Sequence, residues 1–142
     1  FESIREMLLH PHTVPGLGDA GAHCGMISDG SMPTYLLAHW GRDVADPLPL
    51  EWLVSQQTRE TARLVGLHDR GVVAAGYRAD LNLIDEAELA VLVPEMVQDL
   101  PAGGKRYIQR ATLLSGQITF RDGESTGALP GQLVRGAQPA PA

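Results

Sequence analysis

Asp19 stands in the run Gly16-Leu17-Gly18-Asp19-Ala20-Gly21-Ala22-His23, a carboxylate hemmed by three glycines with an imidazole four residues further on. Glycine permits tight turns and close approach of a ligand to the backbone. A carboxylate presented in this way suits hydrolysis of an amide, in which a metal lowers the pKa of water and polarises the carbonyl while a nearby acid or base passes the proton to the leaving amine. Residue types alone favour a plainer reading of Gly18-Asp19-Ala20-Gly21 as a turn, since Asp and Gly are the usual turn formers. His23 can face the same pocket or serve as a hydrogen-bonding loop residue. Cys24 is the single cysteine and reads as a buried structural thiol.

Other residues with the right chemistry have weaker spacing. His10-Pro11-His12 has the outline of a His-x-His metal pair, because alternate residues of a strand point the same way. The intervening proline and the helix-like sequence before it speak against that role. Asp29-Gly30-Ser31 reads as a turn, and Trp40, Arg42 and Asp43 as a packing cluster with an ion pair at a helix end.

These groups need elements to hold them. Ile4, Met7 and Leu8 share one face of a helix expected from about Glu2 to Leu9 and stopped by Pro11. Thr13 to Gly18 reads as a short strand ending at the Asp19 loop, the kind of position where a (β/α)8 barrel gathers its catalytic groups. Pro33 to Trp40 predicts a helix with proline in its first turn, broken at Gly41 and by Pro47 and Pro49. A longer helix is expected from Leu50 to Val65, with Leu50, Leu53, Val54, Thr58, Thr61, Ala62 and Val65 on its packed face and Gly66 as the residue after its end. The period then shifts from 3.6 to 2. Val72-Val73, Ala79 to Ile84, Ala111 to Leu114 and Gln117 to Arg121 read as strands, the last two joined by Ser115-Gly116 in a tight hairpin and followed by a turn at Asp122-Gly123. Val91 to Gly104 reads as loop, and the Gly, Pro and Ala-rich end from Gly127 as a surface or loosely ordered tail.

Composition narrows the classes of function. A chain of 142 residues with 44% hydrophobic content can bury one moderate core. Its net charge of −6 carries no Lys/Arg cluster, so neither nucleic acid nor anionic membrane is an expected partner. No apolar run reaches the roughly 20 residues of a membrane span, and one cysteine cannot close an internal disulfide. A cytoplasmic setting is the expectation. The chain opens on Phe1 within helix-like sequence, which predicts that more chain precedes it.

Met7-Leu8-Leu9-His10-Pro11 followed by Gly16 to His23 resembles the N-acyl-D-amino-acid deacylases (D-aminoacylases) of the amidohydrolase superfamily. Further segments are similar as well: Leu50-Glu51-Trp52-Leu53-Val54 with Thr58 and Ala62-Arg63, Gly66-Leu67-His68-Asp69-Arg70-Gly71, Gly76-Tyr77-Arg78-Ala79-Asp80-Leu81-Asn82, Ser115-Gly116 to Gly123, and Thr126 to Gly131. One departure is the direct run of Gln109-Arg110 into Ala111-Thr112, where such enzymes carry a few more residues.

The resemblance implies an α/β fold: residues 1–70 as the last strand and helices of a (β/α)8 metal-dependent hydrolase barrel, 71–126 as part of a small β-sandwich domain, and 127–142 as a tail. It implies that Asp19 is a catalytic acid/base and a shared metal-site residue at the end of the eighth barrel strand, and that His23 borders the substrate. Zn2+ is the implied cofactor and a small N-acyl amino acid or related amide the implied substrate. The family's other metal ligands belong to upstream sequence, so the 142-residue chain by itself is expected to be inactive and prone to self-association through exposed edges and apolar faces. A cyclic amidase of the hydantoinase or dihydropyrimidinase kind, and a non-catalytic β-rich binding module, are the alternatives.

Overall fold

The computed structural model describes residues 1–16, 31–90 and 111–141. Helix α1 spans Glu2–Leu9 and stops where Pro11 requires it: His10, the residue before the proline, is extended at φ −68°, ψ 132°. Its amide donates to the Met7 carbonyl at 3.3 Å, closing the last turn. Residues 13–16 follow without strand structure. The strand expected from Thr13 to Gly18 is therefore not formed over this part, because none of these residues has a ladder partner among the described residues; Leu17 and Gly18 lie outside them.

Helix α2 covers Met32–Tyr35 with Pro33 in its first turn, and continues through wider π-type turns over Leu36–Asp43. The expected break at Gly41 does not occur. A Cβ built on Gly41 would lie 3.1 Å from Cδ1 of Leu53, so the glycine sits inside the helix as the point of closest approach to the next one. That next helix opens at Pro49 as α3, Leu50–Ser55, passes through π-type turns at Gln56–Glu60 and closes as α4, Thr61–Leu64. In this middle section Thr58 Oγ1 donates back to the Val54 carbonyl at 2.8 Å and Thr61 Oγ1 to that of Thr58 at 3.1 Å, the back-bonding by which threonine competes with regular helix bonds.

Gly66 ends the helix with φ +76°. Its amide donates to the Arg63 carbonyl at 3.0 Å and the Leu67 amide to that of Ala62 at 2.8 Å, the paired bonds of a Schellman ending.

The core is helix on helix. Leu36, Trp40, Leu48 and Leu53 form its buried centre, with Leu8 of α1, Met32, Leu37, Val44 and Trp52 packed around them. Of the apolar face expected on the long helix, Leu53 is 2% exposed, whereas Val54 is 43% and Val65 64% exposed. The α2 segment is too short to cover the whole face, so burial concentrates where Gly41 admits Leu53.

Four antiparallel strands follow in spatial order β1-β2-β3-β4: Leu81–Leu83, Ala111–Leu114, Gln117–Arg121 and Glu124–Ser125. Ser115 and Gly116 both have positive φ, 51° and 78°, as do Asp122 and Gly123 at 49° and 83°. That is the mirror-image turn whose twist matches paired strands. Val72-Val73 is not a strand. It runs between Gly71 and Gly76, both with positive φ, and Val73 is 87% exposed. The described residues thus contribute a single antiparallel sheet and a helical layer; neither the second layer of a sandwich nor a parallel barrel sheet is among them.

Two ties join the parts. Arg42 donates to the carbonyls of Glu86 and Leu89 at 3.1 and 2.9 Å, fixing the chain that leaves β1 to the helical layer. The tail, expected to lie on a surface or be loosely ordered, is largely exposed and is held through a parallel bridge between Leu67 and Gln138. No helix among the described residues is long and apolar enough to cross a membrane.

Candidate functional site

Asp19 and His23, with Cys24 and Asp29, lie outside the described residues. The structure gives the two sides of the chain that flank them. On the leading side, the Thr13 amide donates to the His10 carbonyl at 3.0 Å, and an open groove of about 290 Å3 is lined by Glu6, Met7, His10 and Thr13. The His10 and His12 rings are 5.5 Å apart and tilted by 58°, with His10 Nδ1 accepting the His12 amide at 3.3 Å.

 One nitrogen of His10 is therefore committed to the turn after α1, and among the described residues His10 and His12 belong to no group of three or more potential metal ligands.

On the trailing side, Tyr35 stacks on His39 with ring centroids 4.7 Å apart and planes within 14°. Trp40 meets His39 edge-on at 5.4 Å, and Phe1 packs at 5.7 Å from His39 and 6.4 Å from Trp40. His39 Nε2 is buried and has no hydrogen-bond partner among the described residues. Burying a polar group without a partner costs about 1–3 kcal/mol, a cost His39 carries within this aromatic cluster. Tyr35 and His39 are four residues apart, the spacing that stacks side chains on one helix face. Trp40, 4% exposed, and the Arg42–Asp43 ion pair at 2.9 Å take the packing and helix-end roles expected of them. Arg5 clamps α1 to the loop after α2, reaching both the carbonyl and Oδ2 of Asp46 at 2.8 Å.

Charge gathers elsewhere, at the exit of the long helix. Arg70 holds Asp69 through two bonds of 2.8 and 3.0 Å, and Arg78 Nε reaches Asp80 Oδ2 at 3.1 Å. The Ser115 amide donates to Asp80 Oδ1 at 2.8 Å and Arg78 to Ser115 Oγ at 2.7 Å. The hydrogen bond from Arg70 holds the Asp69 carboxyl below its ordinary value, against the opposing effect of desolvation, and the same bond raises Arg70. Both carboxylates are occupied by these partners. They fasten the β2–β3 turn to the end of the helix and are poorly placed to exchange protons with a substrate.

A metal site needs several ligands converging on one point. Among the described residues no three His, Cys, Asp or Glu side chains form such a group. These residues do not by themselves fit the zinc that the sequence resemblance implies, and no reaction step is assigned to them through it.

The helical layer leaves through a Schellman turn into a small antiparallel sheet, and charged residues fasten the two. Residues 1–120 match the model of the Amidohydrolase family, and the chain belongs to that family. It is also similar to adenine deaminase 1 of Rhizobium meliloti (strain 1021), with 32% identity over 90 residues, covering 51% of this chain and 16% of that protein. The chain thus spans under a fifth of the length of this relative. No solved structure matches.

Proposed function

We propose that the chain is the C-terminal portion of a hydrolase that cleaves a linear C–N bond, in an N-acyl-D-amino acid or a related amide, with Asp19 as the proton carrier. The family match over residues 1–120 is the observation that carries the hydrolase reading; the glycine-hemmed position of Asp19 and the matching segments on both sides support its role. In this reading residues 1–70 belong to the barrel, 71–126 to the small β domain and 127–142 to the tail. Asp19 takes a proton from the attacking water and passes it to the leaving amine, and His23 borders the acyl or amino-acid part of the substrate. A bound metal, with zinc as the proposed ion, would polarise the carbonyl, most of its ligands coming from sequence outside residues 1–142.

The test is Asp19→Asn in the full-length protein, assayed on N-acyl-D-amino acids. Loss of a positioned acid or base lowers kcat by about 10²–10⁴-fold; an unchanged kcat sinks the assignment. The 142-residue chain alone is expected to show no such activity, and to self-associate in light scattering, given the exposure of Ile4, Met7 and Leu64.

A second reading comes from the similarity to adenine deaminase 1: deamination of a nitrogen heterocycle such as adenine. Ammonia release from adenine in the absence of amide hydrolysis would favour it.

A further inference from the structure

We propose that the pocket between the long helix, the turn after it and the C-terminal tail binds a small oxyanion of the phosphate type. The cavity measures about 100 Å3, and its lining includes Arg59, Arg63, His68, Arg70, Tyr77 and Ala140. A single water occupies roughly 10–15 Å3 in a comparable measure, so this space admits a compact polyatomic ion.

Charge is unevenly matched here. Arg59 Nε lies 2.6 Å from Glu60 Oε1 and Arg63 Nη1 lies 3.9 Å from the same oxygen, so one carboxylate serves two guanidiniums. Arg70 is held by Asp69 and lies 3.8 Å from Asp80, which also takes Arg78. Arg59, Arg63, Arg70 and Arg78 thus face Glu60, Asp69 and Asp80, leaving one positive charge in excess within a chain of net charge −6. Among the described residues, the His68 ring and the Tyr77 hydroxyl have no side-chain hydrogen bond. Guanidinium forks and neutral donors around one cavity are the equipment for a tetrahedral dianion, which accepts several charge-assisted bonds at once. A monocarboxylate would be satisfied by a single fork.

The pocket is also built to keep its shape. Gly71 lies against the backbone of Arg59, where a Cβ would come within 2.8 Å of Arg59 Cα. The tail forms the remaining wall: the His68 amide donates to Gln138 at 2.9 Å, the Gln138 amide to Gly66 at 2.8 Å, and Pro141 packs against Gly76. The family match ends at residue 120, so the wall supplied by Ala140 lies beyond what the family model describes.

The probe is inorganic phosphate, titrated calorimetrically into the full-length protein against sodium chloride and sodium acetate of equal ionic strength. Saturable phosphate binding is expected, weakened at least ten-fold by Arg63→Met and by Arg59→Met, reduced by Tyr77→Phe, and unchanged by Arg121→Met on β3. Acetate is expected to bind at least ten-fold more weakly. No saturable phosphate binding, wild-type affinity in Arg63→Met, or acetate binding as tight as phosphate would each overturn the proposal. None of these readouts involves Asp19, so the outcome is independent of the hydrolase reading.

Discussion

Gly71 is pressed against Arg59 so closely that a Cβ on the glycine would lie 2.8 Å from Arg59 Cα and 2.9 Å from its amide nitrogen. The glycine is also at φ +83°. Gly71→Ala therefore meets both a left-handed backbone penalty and a clash with main chain that cannot swing aside, a combined cost of about 2–4 kcal/mol. Gly116→Ala, at φ +78° in open space, carries only the backbone part, about 1–2 kcal/mol. Urea denaturation of the two variants checks the difference.

Leu53→Ala empties the most buried position of the helical core, where Leu53 is 2% exposed. A loss of about 2–5 kcal/mol is expected, set by how far Leu36, Trp40 and Leu48 can close the cavity. Val54→Ala, one residue along and 43% exposed, should cost well under half as much. Thermal unfolding of both variants provides the comparison.

Asp80→Ala removes the acceptor for the Ser115 amide and for Arg78. The expected cost is about 1.5–3 kcal/mol, the range for hydrogen bonds to a charged group. Asp80→Asn, which keeps an oxygen for the Ser115 amide, should retain part of that. Amide exchange at Ser115 and Gly116 should rise in the alanine variant more than in the asparagine one.

Asp69 gives the pH dependence a sign. Its folded-state value is lowered from 3.8 by the hydrogen bond from Arg70, so its contribution is fully present above that ordinary value and is lost as pH falls through the lowered one. Asp69→Asn should flatten the fall in melting temperature below about pH 4. An identical acid limb in the variant and the wild type would remove Asp69 from the account.

Several local features were legible from neighbouring residues alone. Pro11 stops α1 because it forces His10 to be extended, and Gly66 ends the long helix because it accepts positive φ. Ser115-Gly116 and Asp122-Gly123 make the tight turns that their composition predicted. The roles of Asp19 and His23 rest on sequence resemblance, since both lie outside the described residues. The stacking of Tyr35 on His39 follows from helix spacing, whereas the contact of His39 with Phe1, distant in sequence, does not. The Val72-Val73 strand was over-read: apolar β-branched residues fit a strand, but a ladder also needs a partner.

The sequence by itself determined where α1 and the long helix start and stop, which turns reverse the chain at Ser115-Gly116 and Asp122-Gly123, and the family to which it is similar. Those outcomes depend on φ preferences and hydrogen bonds within a few residues. Tertiary structure decided that Gly41 remains inside a helix, that Leu53 is buried while Val54 is not, that Gly71 locks onto Arg59, and that the tail docks through Gln138. Each of these depends on contact between residues distant along the chain, where packing and mutual access override local preference.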